Sequence, residues 1–208
     1  HWLTFFASLN YASVAYGLMG FASFPLFVAW LEPLVFKEER HRRDWLAAIA
    51  VVLGMAVMVS DTSWESGALA GLLLGVASGL SFALLTLANR WQGIAIPPFK
   101  LAFLQNAVAC ISLLPFVFSE NSTFQLDKHD WWGLLLLGAV FTALSHGLFM
   151  FSLRQISTRL ASMTASLEPV YGIALAYAVL NEVPTLRMLL GCAIVLAATT
   201  LATYWHRH

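Results

Sequence analysis

The sequence predicts an all-α integral membrane protein, and three observations carry that prediction: composition, the length of the apolar runs, and the placement of the cationic residues. Charged residues make up 11% of the chain and hydrophobic residues 60%, with a mean hydropathy of +0.76. A soluble domain carries about 25% charged residues and needs them to cover its surface. The formal net charge is zero, so composition offers no argument for nucleic-acid binding. Cys110 and Cys192 each sit inside an apolar run, which reads as two buried, inert thiols rather than a disulfide framework. The opening residues show neither a basic stretch nor a small-residue cleavage site, so they do not read as a signal peptide.

The chain starts with an apolar piece from His1 to Leu9, too short to cross a bilayer, because a spanning helix needs about 20 residues. It reads as the end of a longer helix, or else as a short re-entrant piece. Seven full-length runs follow, at Val14–Phe36, Trp45–Val59, Ala68–Leu87, Leu101–Phe118, Trp131–Phe151, Leu160–Leu180 and Leu186–Tyr204. In hydrocarbon every backbone N–H and C=O has to be satisfied, and a helix does this within one segment. The strands of a membrane barrel would alternate apolar and polar residues. These runs are apolar nearly all round, which excludes the barrel. Trp45, Trp131, Trp132 and Tyr204 fall at run ends, where interfacial aromatic belts form.

Lys and Arg set the orientation. With the loop Lys37-Glu38-Glu39-Arg40-His41-Arg42-Arg43 in the cytoplasm, Arg90, Lys100, Arg154, Arg159 and Arg207 also fall there. Nine of the eleven cationic residues are then inside, and only Lys128 and Arg187 are outside. The outer loops hold Asp61, Glu65, Glu120, Asp127 and Asp130, together with a formal glycosylation sequon at Asn121-Ser122-Thr123.

A shift of 144 positions aligns Trp2–Ser60 with His146–Tyr204 without a gap. Ser8, Leu9 and Ser13 fall on Ser152, Leu153 and Ser157, Pro25 on Pro169, and Glu38 on Glu182. Glu38 lies in a cytoplasmic loop and Glu182 in an outer one, so the two copies have opposite topology. The expected organisation is the C-terminal part of a first repeat over 1–60, an extracytoplasmic linker over 61–66, and a complete second repeat over 67–208. The second copy holds five spans. The first holds its last two and the tail of a third, so two further helices and the start of another are expected before His1. The expectation is therefore about seven full transmembrane helices plus the end of another, out of ten, arranged as inverted five-helix repeats. Mirrored halves suit a secondary transporter, because they offer two pseudo-equivalent states for alternating access.

The stretches Ser8-Leu9-Asn10-Tyr11-Ala12-Ser13, Phe24-Pro25-Leu26-Phe27, Leu31-Glu32-Pro33 and Lys37-Glu38-Glu39-Arg40 resemble the end of an EamA repeat of the drug/metabolite transporter superfamily. The second copy supplies Ser152-Leu153-Arg154-Gln155-Ile156-Ser157, Leu167-Glu168-Pro169-Val170 and Leu180-Asn181-Glu182. The family's usual Gly before the loop Glu is Lys37 in one copy and Asn181 in the other. The resemblance implies a ten-helix carrier with both termini in the cytoplasm, moving amino acids, other small metabolites, nucleotide sugars or drugs, often outward.

Glu168 is the most informative residue. It lies near the middle of its span, where a carboxylate costs about 2.5–3.5 kcal/mol on insertion scales and so belongs in the bundle interior. It reads either as a proton-coupling or substrate-ammonium site or as a structural carboxylate bonded across helices. Pro169 beside it is expected to remove a backbone hydrogen bond and kink the span. Thr164 and Tyr171, one turn to either side, are expected to share its face. Glu32 reads as a helix-end charge that snorkels or pairs with Lys37 or Arg40. His146 is a candidate proton relay or substrate partner, or a satisfied interior histidine. Gln105 and Asn106 read as interhelical glue, with substrate contact as the alternative for both. Tyr16, in the mirrored span, is a further pathway candidate. Gly67, Gly71, Gly75 and Gly79 form a small-residue stripe for close helix packing, and Pro25 and Pro169 are assigned to packing as well. Glu38 and Glu182 read as loop architecture.

No His-Glu-x-x-His and no Gly-x-x-x-x-Gly-Lys-[Ser/Thr] motif occurs, so neither metal nor nucleotide coupling is expected. The expected partners are a small-molecule substrate and the lipid bilayer; a coupling proton and a second copy in a homodimer are left open. The expected place is the cell (inner) membrane, multi-pass, with a cytoplasmic C-terminus. A membrane-embedded enzyme built on Glu168 and His146 is the alternative, but it lacks a converging nucleophile or metal. A non-transporting assembly protein has no need of mirrored halves.

Overall fold

The structure, a computed structural model, describes residues 1–11, 14–59, 67–92, 96–119, 127–180 and 183–207. The linker 61–66, the sequon, Asn181 and Glu182 lie outside them. Among the described residues the regular elements are helices: α1 (Trp2–Tyr11), α2 (Val14–Phe21), α3 (Phe24–Phe36), α4 (Arg42–Val59), α5 (Ala68–Gln92), α6 (Pro98–Ser119), α7 (Lys128–Leu136), a π-helical stretch (Leu137–Leu144), α8 (Ser145–Ser152), α9 (Thr158–Ala165), α10 (Glu168–Leu180) and α11 (Leu186–Arg207).

Five of the described stretches are long and apolar enough to cross a membrane: Tyr16–Phe36, Ala68–Trp91, Pro98–Pro115, Asp130–Ser152 and Leu186–Trp205. Helix α4 is 18 residues long and opens with Arg42, Arg43 and Asp44, which puts three charges into its full length. Large apolar side chains lie exposed along nearly every helix, among them Trp91, Phe103, Val108, Ile111, Phe141 and Leu186. Soluble monomers rarely expose contiguous apolar patches beyond a few hundred Å². Surfaces of this kind meet lipid or other membrane helices, and the chain is an integral membrane protein.

The chain falls into two compact units, one of His1–Ala88 with Ser157–His208 and the other of Asn89–Ile156. In the first, α4 and α11 run antiparallel. Met58 and Gly54 meet Gly191, Gly54 also meets Val195, Ala47 and Ala48 share a cluster with Ala202, and Arg43 lies over the Trp205 ring at 5.9 Å. A Cβ on Gly54 would stand 2.7 Å from Val195 Cγ2, and one on Gly191 would stand 2.6 Å from the Gly54 carbonyl oxygen. Glycine at both positions is what lets the two backbones touch. Helix α5 packs on α2 in the same way. A Cβ on Gly75 would come within 2.5 Å of the Gly17 carbonyl and 3.1 Å of Gly20 Cα, and one on Gly79 within 2.9 Å of Ser23 Oγ. Gly67 opens α5 with a φ of +104°, directly against the Tyr11 carbonyl. Gly71 continues the helix, donating its N–H to the Gly67 carbonyl at 2.9 Å.

Two of the long apolar runs are broken in the middle. Val14–Phe36 divides at Ala22–Ser23 into α2 and α3, and Leu160–Leu180 divides at Ser166–Leu167 between α9 and α10. The prolines follow the breaks rather than kinking continuous helices. Pro25 and Pro169 are each the second residue of the helix that restarts, in its first turn, where a missing N–H costs nothing. The expectation of a mid-helix Pro169 kink is corrected accordingly. The starts of α2, α3 and α4 recur in α9, α10 and α11 at the same 144-residue offset that the sequence alignment uses.

Helix α3 ends on Lys37 with φ 55° and ψ 36°, the left-handed region that favours glycine and costs other residues about 1 kcal/mol. This gives a physical reason to favour Gly at that position. Lys37→Gly is expected to raise stability by about 0.5–1 kcal/mol, read as a higher unfolding temperature of the purified protein.

In the second unit, α7, the π-helical stretch and α8 form one continuous rod from Lys128 to Ser152. The Asp127 N–H at its start donates to Asp130 Oδ2 at 2.9 Å. Helix α6 packs against α8, and the ring of Phe99 lies 2.5 Å from where a Cβ on Gly147 would stand. Cys110 on α6 is exposed and Cys192 on α11 is buried, so only one of the two thiols expected to be buried is.

Candidate functional site

The two helix breaks meet. Phe21, Ala22 and Phe24 from the first and Ala165, Ser166 and Glu168 from the second line a cavity of about 20 Å³, with Leu18 and Met55 completing the lining. That is room for about one water molecule. Ser166 and Glu168 supply the polar groups of an otherwise apolar lining. The Ser166 hydroxyl donates back to the Ser162 carbonyl at 3.0 Å, while Glu168 makes no hydrogen bond to a described residue. Glu168 is also the first residue of α10, where the free N–H groups and the helix dipole favour a negative charge. Broken helices that bring their ends together at mid-depth are the way many carriers build a binding site.

The break corrects one expectation. Thr164 belongs to α9 and Glu168 to α10, so the continuous-helix spacing that would put them on one face does not apply. Thr164 instead lines a wider groove of about 520 Å³ with Thr199, Thr200, Thr203 and Tyr204. Its threonine hydroxyls donate to carbonyls one turn back in their own helices, which leaves oxygen lone pairs as the groove's polar character. Tyr171 is 61% exposed and lines neither cavity, while Tyr16 is buried in a cluster with Ala68.

A second polar feature lies within the Asn89–Ile156 unit. His146 Nε2 stands 3.1 Å from Gln105 Oε1, and Gln105 Nε2 donates to Asn89 Oδ1, so a hydrogen-bonded chain joins α8, α6 and α5. If His146 is neutral, the chain fixes the proton on Nε2 and leaves Nδ1 as an acceptor. Asn89 is buried, and its amide nitrogen has no partner among the described residues. His146 lies two residues beyond the end of the π-helical stretch, a distortion frequent at functional sites. Asn106 is half-buried and does not join this chain.

The third feature was not foreseen from sequence. Arg159 on α9 makes ion pairs to three carboxylates: Nε to Glu32 Oε2 at 2.6 Å, Nη2 to Glu38 Oε2 at 2.7 Å and Nη1 to Asp44 Oδ2 at 2.5 Å. The Thr158 N–H adds a bond to Glu32 Oε1 at 3.2 Å. Glu32 is fully buried, and Asp44 and Arg159 nearly so. Taking these charges out of water is costly, and the charge-assisted bonds offset that cost only as a complete set. Glu32 is thus an interior charge bonded to Arg159 rather than a snorkelling helix end, and Glu38 does more than shape a loop. No local sequence pattern signalled the pairing, because Glu32 and Arg159 lie 127 positions apart.

The described residues form an all-helical membrane protein. Residues 69–204 match the EamA-like transporter family, and the chain belongs to that family. It is 26% identical over 205 residues to the uncharacterized transporter YxxF of Bacillus subtilis, covering 97% of this chain and 65% of that protein. It is 24% identical over 192 residues to a probable amino-acid metabolite efflux pump of Salmonella typhimurium, covering 87% of this chain and 64% of that one. The chain thus spans a little under two thirds of the length of these relatives. A protein of known crystal structure shares the fold with a TM-score of 0.83 at 18% identity, over 99% of this chain and 72% of the other.

Proposed function

We propose that this chain forms the larger part of a secondary carrier that moves small metabolites, amino acids or related compounds foremost, outward across the cell membrane by alternating access. The observation that carries the reading is the meeting of two broken helices at the cavity beside Glu168. The matching 144-residue offset of the helix starts and the antiparallel course of α4 and α11 support two inverted copies of one unit, each able to rock against the other. The efflux pump of Salmonella among its relatives supports the outward direction and the substrate class. The excess of Lys and Arg on one set of loops supports a cytoplasmic C-terminus.

In this reading Glu168 is the site at which a substrate ammonium or a coupling proton is held, because a carboxylate at mid-depth is retained only where it faces a cavity or a partner. The test is counterflow of labelled amino acids and other small metabolites into vesicles carrying the whole natural protein, with and without a proton gradient. Saturable exchange of at least one class is expected. Absence of flux for every compound, from protein shown to be folded, would overturn the carrier reading.

A further inference from the structure

We propose that Arg159, Glu32, Glu38 and Asp44 form an ionic latch that closes one end of the carrier, the end that the charge distribution assigns to the cytoplasm, and that the latch opens when the cavity is exposed to that side. The proposal rests on the carrier reading above. Helices α3 and α9 run antiparallel from the central cavity to the latch. Phe24 and Val28 share a cluster with Ala165 at the inner end, and Glu32 meets Thr158 and Arg159 at the outer end. Separating these two outer ends would open a path from the loop side to Glu168.

Arg159 is the cation bonded to acids from three segments: α3, the loop after it, and the first turn of α4. Without its charge three carboxylates would face one another. In the open state the same four groups would be hydrated, so opening exchanges protein partners for water and is reversible. At the positions 144 residues away, Glu32 is replaced by Ala176, Arg159 by Ala15 and Asp44 by Met188, and only Glu38 has an acidic counterpart, Glu182. The four-residue set is therefore not repeated at the mirrored sequence positions.

The test uses the whole natural chain with Ser162→Cys as reporter. Ser162 is fully buried, one turn inward from Arg159. Cys192, buried between α4 and α11, is kept as a fold control, and every other cysteine is replaced. A membrane-impermeant maleimide is applied to the cytoplasmic face of inside-out vesicles, and the labelled peptides are quantified by mass. The reporter thiol is expected to label roughly tenfold faster or more in Arg159→Gln than in the parent, with Cys192 unchanged. Arg159→Lys is expected to stay near the parent rate, and Asp44→Asn to fall between. Equal labelling in folded Arg159→Gln and parent overturns the latch, as does labelling that rises at Cys192 in step with the reporter. If Arg159→Gln is not recovered folded, Asp44→Asn decides, and an unchanged rate there overturns the proposal. Labelling needs no substrate, so an inactive flux panel would sink the carrier reading while the latch is still judged on its own readout.

Discussion

Replacing Arg159 with glutamine is expected to lower the stability of the purified protein by about 3–5 kcal/mol, the usual cost of leaving a buried ion pair without one partner. The loss comes less from the bonds removed than from the acids left behind. Glu32 is fully buried and would lose the guanidinium that compensates its charge. A second variant separates the two causes. Arg159→Met combined with Glu32→Gln and Asp44→Asn removes the two buried carboxylate charges together with the cation and leaves the partly exposed Glu38, and replacing a buried ionic set is often close to neutral. The triple variant is therefore expected to be more stable than Arg159→Gln, although it changes more residues. Denaturant midpoints of the two variants and the parent in one detergent provide the measurement. A triple variant less stable than the single one would show that the carboxylates are held by something other than Arg159.

Glu168→Gln is expected to reduce flux of the best substrate by about 10- to 100-fold, the worth of one hydrogen bond to a charged group. The substitution keeps size and shape and removes only the charge. Stability should change little, because Glu168 makes no hydrogen bond to a described residue and opens onto a cavity. Initial rates over a range of substrate concentrations, with and without a proton gradient, distinguish the roles. If Glu168 holds a substrate ammonium, apparent affinity falls whatever the gradient. If it carries the coupling proton, exchange persists while stimulation by the gradient disappears. Flux and coupling both equal to the parent's would make Glu168 structural.

Much of the architecture was legible in the sequence because the bilayer is a demanding solvent. It admits few spanning forms and makes charged residues expensive, so long apolar runs read almost directly as membrane helices. The glycine stripe on α5 was legible for a related reason: small residues at every fourth position serve close packing, and Gly75 and Gly79 lie against α2 and the break after it. The two breaks were not legible. Ala22–Ser23 and Ser166–Leu167 are as apolar or small as the helices they interrupt, and Pro169 suggested a kink within a continuous span rather than a helix restart.

Sequence by itself determined that this chain lives in a membrane as helices, which residues are costly there, and which family its motifs resemble. Tertiary structure alone decided which costly residues meet. Glu32 and Arg159 are 127 positions apart, and a pairing that distant leaves no local pattern, since it depends on α3 and α9 running past each other in opposite directions. For the same reason Thr164 and Glu168 are neighbours in sequence and line different cavities. Helical periodicity holds only while the helix is continuous, and here it ends between them.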